Sequence, residues 1–90
     1  MDQGLTTSER KIILLYEIFR KYTVKNAFEL TEKEFKQFMR TEFPNFLEDI
    51  LDRPLNRLLN EPKDRSFEEA LDMIGRMGMV YYKKMNNIAF

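Results

Sequence analysis

Ninety residues leave room for one domain, and 43% apolar with 33% charged residues is the balance of a chain that folds rather than one that stays disordered. A chain this short buries only about 60–65% of the surface its unfolded form exposes. With no Cys and no His, neither disulfides nor imidazole-held metal can reinforce its core, so a second subunit is the reinforcement left to expect.

Lys+Arg and Asp+Glu number 15 each, which excludes a general electrostatic pull toward nucleic acid or an anionic membrane. The longest apolar run, Ile12 to Tyr16, is too short for a membrane span or a signal segment. The chain therefore reads as leaderless and cytoplasmic, with leaderless secretion as the alternative.

The first element begins at Thr6-Thr7-Ser8-Glu9. Here an N-cap hydroxyl and a carboxylate three residues on can satisfy each other's backbone donors in a capping box. The helix runs to about Tyr22 and carries Ile12, Ile13, Leu14, Leu15, Tyr16, Ile18, Phe19 and Tyr22, eight apolar residues in eleven. One buried face needs only one stripe, so this helix is expected to bury two.

Thr31-Glu32-Lys33-Glu34 repeats the box, with Leu30 before it and Phe35 after it placed as a hydrophobic staple. Phe35, Phe38 and Met39 continue at helical spacing. Pro44 disfavours helix in the residue before it and sets the end near Thr41 to Phe43. Segment 42–52 reads as a hinge containing Phe46, Leu47, Ile50 and Leu51. Asp52-Arg53-Pro54 then starts a short helix through Leu58 and Leu59, stopped by Pro62.

Ser66-Phe67-Glu68-Glu69 is a third box, opening a long helix with Ala70, Met73, Ile74, Met77, Tyr81 and Met85 stepping by three and four. Gly75 and Gly78 each cost about 1 kcal/mol against Ala inside a helix. A close helix crossing at a dimer axis would offset that cost. The coarse reading is all-α, with four helices and a short tail at 88–90.

Thr31 and Ser66, Glu34 and Glu69, Phe38 and Met73, and Met39 and Ile74 are all separated by thirty-five residues. Two copies of a helix, a loop of about a dozen residues and a second helix describe paired EF-hands, here 6–43 and 53–87. Two ordinary capping boxes at coincidental spacing are the alternative. Phe19-Arg20-Lys21-Tyr22-Thr23, Leu30 to Phe35, Glu42-Phe43-Pro44-Asn45-Phe46-Leu47 and Ser66-Phe67-Glu68-Glu69 together resemble the S-100 family of small dimeric EF-hand proteins, the group of the calgranulins, psoriasin and the calpactin light chain. The resemblance implies a four-helix protomer and a homodimer through the first and last helices. Leu5, Ile12, Ile13, Tyr16, Met73, Ile74 and Met77 are its expected interface.

Calcium wants roughly six to eight oxygens, supplied by alternate loop positions and a bidentate Glu at the twelfth. Counting back from Glu34 puts Thr23, Lys25 and Ala27 at the first, third and fifth positions and Phe28 where Gly is needed. The family's longer first loop, which uses backbone carbonyls, is not matched in length. Counting back from Glu69 gives Leu58, Asn60 and Pro62, with Lys63 at the Gly position. Both loops read as degenerate, with no metal site expected; any residual calcium binding would fall to Thr23, Glu29 and Glu34. Without His, zinc is disfavoured as well.

Catalysis near neutral pH most often uses His or Cys, and the only serines, Ser8 and Ser66, are already accounted for at helix starts. An enzyme is not expected. Methionine suits surfaces that adapt to several apolar ligands, and the last helix holds Met73, Met77, Met79 and Met85. Phe46, Leu47, Ile50, Leu51, Val80, Tyr81, Tyr82 and Met85 are the expected target-binding residues. The function expected is a calcium-independent, S-100-like dimeric adaptor for apolar or amphipathic segments of target proteins. A calcium-regulated signalling protein with a weak first loop, and a leaderless extracellular mediator of the psoriasin type, are the alternatives.

Overall fold

In the structure, a computed structural model that describes residues 4–24, 28–48 and 54–87, each of the three capping boxes opens a helix. Thr6 Oγ1 accepts from the Glu9 amide at 3.1 Å while Glu9 Oε1 accepts from the Thr6 amide at 2.8 Å, and α1 follows over Thr7–Lys21. Thr31 and Glu34 start α2, Glu32–Glu42, in the same way. Between them lies a two-residue strand, β1, Glu29–Leu30.

Pro44 acts in two directions. It ends α2, leaving Phe43 outside helical geometry, and its fixed φ begins a short helix, α3, Pro44–Glu48. The expected hinge at 42–52 is therefore partly helical, with 49–52 outside the described residues. The helix α4 covers Pro54–Leu59, and a second short strand, β2, Arg65–Ser66, precedes α5, Phe67–Met85. Ser66 and Glu69 cap α5 reciprocally, and the chain leaves its far end through Asn87 at φ 54, a left-handed conformation that Asn tolerates. The tail at 88–90 lies outside the described residues.

The strands β1 and β2 pair antiparallel, Glu29 with Ser66 and Leu30 with Arg65. This bridge was not foreseen from sequence, because two residues carry no readable period. It ties together two helix–loop–helix units, the architecture the thirty-five-residue spacing anticipated.

The core comprises Phe19, Leu30, Phe35, Phe38, Met39, Leu59, Ala70, Met73, Ile74 and Met77. Removing a side chain the size of Phe or Met from water contributes about 1.5–3 kcal/mol, and Phe19, Phe38 and Met39 are fully buried. The aromatic rings form a series. Phe19 meets Phe67 at 5.3 Å and Phe38 at 5.8 Å edge-on, Phe38 meets Phe43 at 5.7 Å, Phe43 stacks on Phe46 at 5.8 Å, and Phe46 reaches Tyr81 at 5.2 Å. The series starts at the N-terminal end of α5, passes through α1, α2 and α3, and returns to the C-terminal half of α5. Gly78 gives Phe46 its place, since a Cβ there would stand 3.4 Å from Phe46 Cε2. The close contact at Gly78 thus lies inside the protomer, and Gly75 faces open space.

Candidate functional site

Both loop-closing carboxylates are engaged by protein donors. Glu34 Oε1 accepts from the Thr31 amide at 2.9 Å and Oε2 from the Val24 amide at 3.2 Å. Glu69 Oε1 accepts from the Ser66 amide at 3.0 Å, and Oε2 lies 3.0 Å from Lys63 Nζ. The Ser66 amide and the Lys63 ammonium hold the Glu69 carboxyl below the ordinary carboxylate range.

Of the remaining candidate ligands, Thr23 and Asn60 are turned to backbone carbonyls. The Thr23 hydroxyl donates to the Arg20 carbonyl at 2.8 Å, and Glu29 sits in β1 opposite Ser66. Lys25 and Ala27 lie outside the described residues. Asn60 Nδ2 turns back to the Asn56 carbonyl at 2.8 Å and finishes α4. Among the described residues, no three Asp or Glu side chains come together as a metal-binding group.

Arg65 was missed in the sequence. It stands four residues before Glu69, as Leu30 stands four before Glu34, so the repeat places an arginine where its twin has an apolar core residue. Arg65 is nevertheless only 3% exposed. Its Nη2 donates to the Leu58 carbonyl at 2.7 Å and the Leu59 carbonyl at 3.4 Å, its Nη1 donates to the Lys63 carbonyl at 3.1 Å, and the guanidinium lies 4.3 Å over the Phe35 ring. Burial pushes its pKa below the ordinary arginine value. Comparison of the two copies at equal offset was the signal that could have found it.

The expected interface residues divide. Ile12 and Ile13 are 47% and 46% exposed, Leu14 beside them is more so, and Leu5 is half-buried. Tyr16 packs edge-on against Phe67, whereas Met73, Ile74 and Met77 are buried in the protomer's own core and have little surface left to offer a partner. Among the described residues, the second apolar face of α1 around Ile12, Ile13 and Leu14 is left about half exposed. Leu14, Leu15, Ile18, Lys11, Glu42 and Phe43 line a shallow groove of about 320 Å³ beside that face.

The expected target-binding residues also divide. Phe46, Leu47 and Val80 pack against the core, Tyr81 lies half-buried on Phe46, and Tyr82 and Met85 are exposed together with Met79. Ile50 and Leu51 lie outside the described residues. The six that are described do not form one open surface, because α3 is already seated on α5.

Residues 8–50 match the S-100/ICaBP type calcium binding domain. Over this stretch, just under half of its length, the chain is similar to an S-100-type domain. That match spans α1, the first loop, α2 and α3; the second helix–loop–helix unit lies beyond it and is joined to it by the β1–β2 bridge. S-100 proteins are calcium-binding proteins and not enzymes. No helix among the described residues is long and apolar enough to cross a membrane.

Proposed function

We propose that this S-100-type protein is a dimeric adaptor that holds apolar or amphipathic segments of target proteins without calcium as its switch. The observation that carries the reading is the engagement of all four oxygens of Glu34 and Glu69 by protein donors. An incoming cation would have to displace the Val24 amide in one loop and an ammonium in the other. It would recover few oxygens in return, because a methyl, an ammonium and a proline ring stand at ligand positions.

The dimer is supported by the uncovered apolar face of α1 around Ile12, Ile13 and Leu14. An apolar patch of this kind rimmed by charge marks an association surface. Target contact then falls to Tyr82 and Met85 on the exposed part of α5, with Phe46, Leu47, Val80 and Tyr81 behind them.

Calorimetric and NMR titration with calcium tests the reading, run beside a solution mass measurement. The expected result is no saturating heat or shift at micromolar calcium and a mass twice the 10.9 kDa of one chain. Saturation at micromolar calcium would favour the calcium-regulated alternative, and a monomeric mass would remove the dimer.

A further inference from the structure

Arg65 sets a physical problem. An ionised guanidinium taken out of water ordinarily needs a carboxylate partner or retains solvent. Arg65 is almost wholly buried, and among the described residues no carboxylate forms a direct ion pair with it; the negative charges of Glu61, Glu32 and Glu69 act on it from farther off. Its partners are three backbone carbonyls, from Leu58, Leu59 and Lys63, and the face of Phe35.

Two of those carbonyls, Leu58 and Leu59, are at the C-terminal end of α4, where unpaired C=O groups and the helix dipole favour a positive charge. The third lies in the turn between α4 and β2. Several oxygens of one loop converging on one buried positive charge is the arrangement a hard cation imposes. Here the charge is covalently attached.

We infer that the Arg65 guanidinium is the built-in organising cation of the second loop, holding α4, the turn and β2 in one arrangement that a bound metal would otherwise have to supply. The inference rests on the calcium-independent reading above and deepens it. The planar fork is essential, since it reaches carbonyls on both sides while its flat face covers the Phe35 ring. Phe35 belongs to α2, so the same side chain fastens the second loop to the first helix–loop–helix unit. A lysine could carry the charge but not the geometry.

Truncation with chemical rescue tests the inference. In Arg65→Ala, amide-exchange protection of Leu30 and Arg65-position backbone N–H groups should fall about tenfold or more. Methylguanidinium at millimolar concentration should restore it, and methylammonium should not. If Arg65→Met keeps wild-type protection, or if methylammonium restores Arg65→Ala equally, the inference fails. Should Arg65→Ala not fold, nitrogen NMR of the wild-type guanidinium decides. Separate, slowly rotating Nη resonances unchanged by millimolar calcium support the inference, and a single averaged resonance overturns it. These outcomes are independent of the wild-type calcium titration, whose failure would remove the calcium-independent reading instead.

Discussion

Lys63 Nζ lies 3.0 Å from Glu69 Oε2 and 3.8 Å from Glu61 Oε1, so an ammonium occupies the side of Glu69 that faces the second loop. Lys63 and Glu69 are both about half exposed, and pairs of that kind contribute only about 0–1 kcal/mol. Lys63→Met should therefore shift the thermal midpoint little. It should also leave the protein unresponsive to millimolar calcium, because Pro62 and Leu58 still stand at ligand positions. Differential scanning calorimetry with and without calcium checks both expectations.

The pH dependence follows from Glu69. Its carboxyl is held below the ordinary value by the Ser66 amide and Lys63, so its stabilising contribution is complete above the unfolded carboxylate range and is lost as pH falls through the depressed folded value. Glu69→Ala, which also removes half of a capping box, should cost about 1 kcal/mol at neutral pH. Urea melts of both proteins between neutral and acidic pH should show that difference shrinking toward the acid end.

Tyr22 gives the opposite sign. Its hydroxyl donates to Glu42 Oε2 at 2.6 Å, joining the end of α1 to the end of α2. The hydrogen bond to that carboxylate, with burial and the negative charge, raises the phenol pKa. The contribution is present below the unfolded tyrosine pKa and disappears as pH rises through the raised folded value. Ultraviolet titration of the wild type against Tyr22→Phe should show that the ionisation lost with Tyr22 lies above the ordinary tyrosine range. Tyr22→Phe should cost about 0.5–1.5 kcal/mol at neutral pH.

Gly75 and Gly78 separate propensity from packing. Gly75→Ala meets nothing within 4 Å and should stabilise α5 by about 1 kcal/mol. Gly78→Ala gains the same propensity but presses its methyl on the Phe46 ring, so its net gain should be smaller. Chemical denaturation of the two variants side by side measures the difference.

Phe19→Ala and Ile13→Glu should fail in different ways. Phe19 is fully buried between Phe38, Phe67 and Tyr16, and its truncation should cost about 3–5 kcal/mol, a large part of a small domain's stability. Ile13 lies on the uncovered face of α1, so Ile13→Glu should preserve the helical circular dichroism while halving the solution mass.

The three long-helix starts were legible from sequence because a capping box is local. A hydroxyl and a carboxylate three residues apart need only their own turn to find each other, and Thr6, Thr31 and Ser66 behave as their neighbours dictate. Which residue types stand at the counted loop positions was legible for the same reason, since spacing is counted along the chain. What each apolar residue touches was not. Met73 and Met85 share one three-and-four stripe in the sequence, yet one is core and the other surface, because the remaining helices cover only part of the length of α5. Phe46 became internal only because α3 folds onto Gly78. Arg65 reads as an ordinary surface cation until the α4 carbonyls and Phe35, brought from elsewhere in the chain, enclose it. Local hydrogen bonding was written in the order of residues; burial required the whole chain to close.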